Sequence, residues 1–553
     1  MMKKVYQLLF VVGLALTLFG FTVQVQAHNP HVCPPGFPDE PAITYGHLEQ
    51  SQIVDGDVSF GTVLAVGQEW FDAVLNHCDG QGRPATTGGS NKRDPMSQPP
   101  AFNRVSAPDS SACAGCHNQP RSGGGGDFVA NVFVLAQTLD PPIETINSEF
   151  SNDRNTLGMF GSGPIEMLAR EMTAELLAIR ASAVQEAESA GTNITMELTA
   201  KGISYGYITA APDGTIDTRA ITGLDPDLIV KPFHQAGVVV SLRQFSVNAF
   251  NQHHGLQAEE RFDLDPTKGP DFDEDGIDRE MTIGDITAVT LYQASLGVPG
   301  QVLPDDPAEQ AVVTMGEQLF DQIGCAECHV PEMTLDTQLF VEPNPYNPAD
   351  TWRDSSQSVS YNMTGQGQGP FLEPKGDGAI IRAYTDLKRH DLCDAPSDPD
   401  PIRHFCNEEL AQARPDQDGK PGTEFFLTRK LWDVGSSAPY GHRGDLTTIT
   451  EAIWAHGGEG RPSLEAFKAL TDEEQAAVVK FLKTLQVLPA GSPRIVYESQ
   501  LTTTDVNNVG SLSGDASAKS GFLPDGLPLF IGLAMVVGVV GSCCVWIYRR
   551  GRS

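Results

Sequence analysis

Apolar positions follow three patterns along this chain, and each predicts a different kind of element. Two stretches are almost uninterrupted runs. One extends from about Leu8 to Val23, after Lys3 and Lys4 and ahead of Val25-Gln26-Ala27. That is the layout of a secretory signal over residues 1–27. The other extends from Leu527 to Tyr548, 22 residues, with Arg549, Arg550 and Arg552 just beyond it. It is long enough to cross a bilayer with its basic end inside. The expectation is a transmembrane helix over 526–548, a cytoplasmic tail over 549–553, and a folded body on the periplasmic side of the cell membrane.

Between the runs the spacing is helical or alternating. Ile165, Leu168, Met172, Leu176 and Ile179 share one face of a helix that starts near Pro164, and proline suits a first turn. Residues 194–232 read as short strands around the turn Pro212-Asp213-Gly214. A further helix is expected from Ser241 to Gln257. Thr471 and Glu474 form a capping-box pattern ahead of Val478, Phe481, Leu482 and Leu485, all on one face. The glycine run after Ser122 reads as a flexible loop, and residues 496–525 as a polar linker. One pattern recurs: Gly67-Gln68-Glu69-Trp70-Phe71-Asp72 resembles Gly316-Glu317-Gln318-Leu319-Phe320-Asp321.

Each copy of that pattern is followed by a CxxCH sequence, Cys113-Ala-Gly-Cys116-His117 and Cys325-Ala-Glu-Cys328-His329. In an exported protein this is the attachment site of c-type haem. Cysteines three apart lie on one side of a helical turn and can both join one porphyrin, while the histidine reaches the iron. A zinc half-site would need a second ligand pair nearby, and a thiol redox pair would need neither the histidine nor the duplication. Cys113, Cys116, His117, Cys325, Cys328 and His329 are therefore expected to hold two covalent haem c groups. The fold expected is mainly α: two cytochrome c-like units, the first elaborated with helices and a small β segment, plus the C-terminal transmembrane helix. The first unit would span 28–306 and the second 307–495.

Charge and cysteine usage narrow the partners. A formal charge of −34 argues against nucleic acid and suits a basic electron donor. Cys33, Cys78, Cys393 and Cys406 remain after the haem motifs and the membrane run, an even number for an oxidising compartment. Their three possible pairings stay open.

The stretch from Phe425 to Leu485 contains Leu431-Trp432, Ala438-Pro-Tyr440-Gly-His442-Arg-Gly444, Thr450-Glu-Ala-Ile453 and His456-Gly-Gly-Glu459. With Gly316 to Met333 and Tyr384 to Asp391, it resembles the di-haem oxidoreductase family described as putative peroxidases, related to the bacterial di-haem cytochrome c peroxidases and MauG. The resemblance implies that His456, 14 positions beyond His442, is the distal ligand of the second iron. Bis-histidine ligation by His329 and His456 would favour electron relay. Arg443 departs from the family, which usually has Asp there. The resemblance also implies a glutamate acid/base at the first haem, and Glu166 is the candidate.

No histidine lies between His117 and His234. The distal side of the first haem is then either open or filled from afar, by His254 or His253, of which at most one should face the iron. Asp271, Asp273 and Asp275 ahead of Gly276 have the spacing of a calcium loop, with Asp278 and Glu280 to close it because position 12 is Thr282. Trp70, Trp352, Trp432 and Trp454 are candidates for a path between haems. The function expected is an exported, membrane-anchored di-haem oxidoreductase. Its second haem would take electrons from a donor protein or a quinol-linked complex. Its first haem would face a small oxidant such as peroxide. The alternative is a non-enzymatic di-haem electron-transfer cytochrome.

Overall fold

The computed structural model describes residues 41–81, 111–126, 129–132, 152–262, 279–407 and 425–501. The expected signal, the 526–548 span, Cys33, and Asp271, Asp273, Asp275 and Asp278 lie outside these residues. Among the described residues no helix is long and apolar enough to cross a membrane.

Eight helices carry the argument: α1 Phe60–Asp72, α2 Ser162–Ala190, α3 Leu242–Ala249, α4 Ile283–Ser295, α5 Pro307–Gln322, α6 Ile449–Trp454, α7 Arg461–Ala469 and α8 Asp472–Thr484. Their starts are chemically marked. The Ser59 side chain caps α1, Asp306 caps α5 with Pro307 in its first turn, and capping boxes open α4 (Thr282, Asp285), α6 (Thr448, Glu451) and α8 (Thr471, Glu474). Thr282, position 12 of the acidic loop, is thus a helix cap. Both Glu280 oxygens accept from Gln257, through its backbone N–H and its side-chain amide.

The repeated hexapeptide has a spatial meaning. A Cβ on Gly67 would collide with the Ala288 carbonyl oxygen and the Tyr292 side chain of α4. A Cβ on Gly316 would collide with the Ala477 carbonyl oxygen and the Phe481 side chain of α8. Each glycine is the point where a unit's first helix crosses its closing helix at backbone distance. Phe71 then packs on Tyr292 and His117, and Phe320 on Phe481 and His329. The closing helix of the first unit, α4, was not singled out by periodicity because all but its first residue are buried. A helix hidden all round shows no polar stripe.

The mainly-α expectation is corrected: the described residues are mixed, 39% helical and 17% strand. Six small sheets occur among the described residues. Ile194–Ala200 and Ile203–Ala210 form a hairpin extended by Ile216–Asp217, with Leu198, Tyr205 and Ile208 buried in the main core along with α2. Between residues 333 and 427 the strands are three or four residues long, too short for alternation to register as a period. Gly300–Leu303 pairs with both Leu485–Gln486 and Ile495–Tyr497, tying the end of the first unit to the end of the second.

The glycine run is also corrected. Gly123 to Gly126 are all buried. Gly123 donates its N–H to the His117 carbonyl, and Gly125 pairs with Gln119 on both sides. Side chains at Gly124 or Gly126 would strike the backbone of Gln119 or Cys116. The run is a close-packed backing for the first CxxCH.

Candidate functional site

At the second motif, Gly324, in the left-handed region two residues beyond α5, leads into a short 3-10 turn, Cys325–Glu327, that presents the motif. His329 donates Nδ1–H to the carbonyls of Tyr384 (3.2 Å) and Arg429 (3.1 Å). A histidine fixed in that way leaves Nε2 for a metal. Burial, reinforced by the neighbouring His456, pushes His329 down to about 4. His456, two residues beyond α6, donates Nδ1–H to the Ala452 carbonyl at 2.8 Å, and burial lowers its proton affinity too. The ring centroids of His329 and His456 are 6.5 Å apart. Two imidazole–metal bonds of about 2 Å each, plus half a ring at either end, make about 6 Å. The pair therefore fits an iron between two neutral imidazoles.

Three family-like stretches meet beside this pair. His390 lies between Asp386 (2.8 Å) and Glu459 (2.7 Å), and Cys328 is within reach. Burial opposes the charge, yet hydrogen bonds to Asp386, Cys328 and Glu459 push His390 up to about 11. The imidazolium therefore stabilises the fold fully below its unfolded value of 6.5. That contribution is lost as pH rises towards 11. The holoprotein's thermal midpoint should fall over this window, and His390→Gln should flatten the fall. An identical pH profile in the variant would contradict the assignment.

The first motif is built differently. Cys113–Cys116 form one helical turn, and His117 donates Nδ1–H to the Leu157 carbonyl at 3.0 Å. Burial pushes His117 down to about 4, so its Nε2 is also neutral and available. The expected helix from Ser241 is α3, continued by a π turn over Phe250–His254. His254 is buried with Nε2 3.5 Å from Cys113 Sγ. His253 is close enough to disfavour protonation of both His117 and His234. A π turn separates neighbours by less than the ~100° of an α-helix. His254 is thus the one in contact with the motif, with His253 beside it.

Sequence reasoning missed a cluster here. His442, in the Pro-Tyr-Gly-His stretch of the second unit, bonds through Nε2 to the Arg154 guanidinium, with Gln235 Nε2 at 3.4 Å. Burial, then Arg154, His234 and Arg443, push His442 down to about 2. Burial, Arg154 and His253 push His234 down to about 3, and its Nδ1 is buried without a partner. The strand Asn152–Asn155 makes the connection: Asn155 donates to the His442 and Pro439 carbonyls. No spacing in the sequence joins Arg154, His234 and His442.

Glu166 is fully buried in α2 and its oxygens are taken. Arg170 Nε (3.1 Å) and Asn344 Nδ2 (2.9 Å) bond one, and the Leu242 N–H (2.8 Å) the other. It borders a buried network in which Arg243 bridges Glu260 and Glu342 beneath Trp352. Trp70 and Trp432 are core residues, whereas Trp454 is half exposed beside Lys468. Cys393 and Cys406 form a disulfide, and Cys78 is disulfide-bonded as well.

Residues 376–485 match the family model described as di-haem oxidoreductase, putative peroxidase. Over this segment the chain resembles the di-haem oxidoreductase family. The general function of this family is oxidoreduction with haem as cofactor. Among solved structures, the hydrazine synthase of Kuenenia stuttgartiensis pressurised with xenon is similar at 13% identity and a TM-score of 0.33. The match covers 81% of this chain and 95% of that one. A MauG-like protein associated with microbial copper homeostasis is similar at 17% identity and a TM-score of 0.24, covering 62% of this chain and 91% of that one. No curated protein matched. The His329–His456 pair lies partly within the matched segment of the di-haem oxidoreductase family, since only His456 falls between 376 and 485.

Proposed function

We propose that this protein is an exported di-haem c-type oxidoreductase. It would take electrons at the His329–His456 side from a donor protein or a quinol-linked complex. It would use them to reduce a small oxidant such as peroxide at the His117 side. A haem attached at each CxxCH supplies an iron that exchanges single electrons and, where a coordination position is open, a place for the oxidant to bind.

The carrying observation is the contrast between the two sides. His329 has a second imidazole opposite it, fixed through Nδ1 with Nε2 available. His117 instead has His253 near it, and His253 in turn neighbours a cluster of His234, Arg154 and His442, a group able to hold a negative charge. The Arg154 guanidinium is a permanent cation for an oxygen that gains charge. His234, held neutral by burial and Arg154, can offer a ring N–H to that oxygen. Glu166 is less suited to that task, since its carboxylate is held by Arg170, Asn344 and Leu242.

The approach of His254 to Cys113 favours a second reading, in which a histidine closes the first iron and the protein only transfers electrons. The spectrum of the half-reduced protein separates the two. One high-spin haem together with peroxide turnover supports the enzyme. Two low-spin haems inert to peroxide and to carbon monoxide leave the electron-transfer cytochrome.

A further inference from the structure

The histidines of the two CxxCH motifs are joined by a short chain of bonds through one side chain. His117 Nδ1 donates to the Leu157 carbonyl at 3.0 Å, and that carbonyl belongs to the peptide that leads into Gly158. The Gly158 carbonyl accepts from Lys430 Nζ at 2.9 Å. Lys430 follows Arg429, whose carbonyl accepts from His329 Nδ1 at 3.1 Å. Every link between the two imidazoles is thus a covalent bond or a hydrogen bond of ordinary length. We propose that Lys430 is the positioning residue that couples the two haem sites, its Nζ–H···O bond to Gly158 being the link that its side chain adds to this path. The inference rests on the di-haem reading above and adds to it the route between the sites.

The surroundings hold this contact in place. Gly158 has no room for a side chain, because a Cβ would press on the Asp433 carboxylate. Asp433 is itself buried, with neither oxygen hydrogen-bonded. Trp432 packs against Gly161, where a Cβ would strike its ring. Leu431 donates its N–H to the Ala383 carbonyl at 3.0 Å. Residues 429–433 therefore lie against 157–161 at three points, and the lysine cannot swing away without disturbing the other two. Electronic coupling decays more slowly through bonds than across a gap, so one such link can dominate the exchange. The step itself is simple: one electron leaves the His329-side iron, oxidised from ferrous to ferric. It arrives at the His117-side iron, reduced from ferric to ferrous, and no bond is made or broken.

The test uses the full chain carrying its haems, with haem content counted by mass and the thermal midpoint recorded for each variant. Pulse radiolysis of the oxidised protein injects one electron, and the later redistribution between haems is followed in the Soret band. Lys430→Met should slow that redistribution, because a gap replaces the hydrogen bond to Gly158 in the path. Lys430→Arg, which keeps a donor, should retain the rate. If Lys430→Met does not acquire both haems, Lys430→Gln, too short to reach Gly158, carries the measurement. Wild-type redistribution in a two-haem variant lacking the link overturns the coupling role and leaves the di-haem reading standing. Fewer than two haems on the unaltered chain overturns both.

Discussion

Replacing His456 with alanine is expected to convert one of the two haems from a low-spin, six-coordinate spectrum to a high-spin one. The other haem should be left unchanged. The expectation rests on two neutral imidazoles facing each other, each fixed through Nδ1 by a backbone carbonyl and each with Nε2 available. His456 owes its place to the capping box of Thr448 and Glu451, which starts α6 and is untouched by the substitution. The helix should therefore survive and the ligand alone be lost. His456→Met provides a graded control. Exchanging an imidazole for a thioether raises a haem's potential, so reductive titration should show one haem moving upward. An axial-ligand spectrum identical to the unaltered protein would refute the assignment.

The second large effect concerns the first motif. Replacing Cys113 and Cys116 together by alanine should lower the mass by one haem and reduce peroxide turnover to background. The His329–His456 spectrum should remain. The reason is the cluster of Arg154, His234 and His442, which reaches the His117 side through His253, whereas His329 faces His456. The converse variant, Cys325→Ala with Cys328→Ala, should lose turnover driven by a protein donor. It should keep turnover driven by a small chemical reductant, which can reach the first haem without the relay. Undiminished peroxide turnover in the Cys113/Cys116 variant would reverse the assignment of the two sides.

Parts of this arrangement were legible before any coordinates. The CxxCH motifs are local chemistry, fixed by the reach of two thiols and one imidazole along a single turn. The echo of Gly67 to Asp72 in Gly316 to Asp321 was visible as letters. Its physical content, two helix crossings that exclude a Cβ, became visible only when α4 and α8 were seen lying across them. The capping box at Thr471 likewise follows from bonds spanning three residues. By contrast, the glycine run after Ser122 was misread. Without a side chain, glycine reads as freedom in a sequence, yet it also allows the closest packing in a fold, and here that second property applies.

The sequence by itself singled out the residues expected to bind haem, the starts of α2, α3 and α8, and a pattern repeated ahead of each CxxCH. Those features depend on neighbours within a few residues. Only the tertiary structure decided which distant residues surround each motif. Arg154, His234 and His442 come from a strand, a left-handed turn and the second unit's own motif. Lys430 reaches back 272 positions to Gly158. Such contacts leave no period or spacing in the chain. They follow from backbone pairing and burial over hundreds of residues, which bring groups together only after the fold has formed.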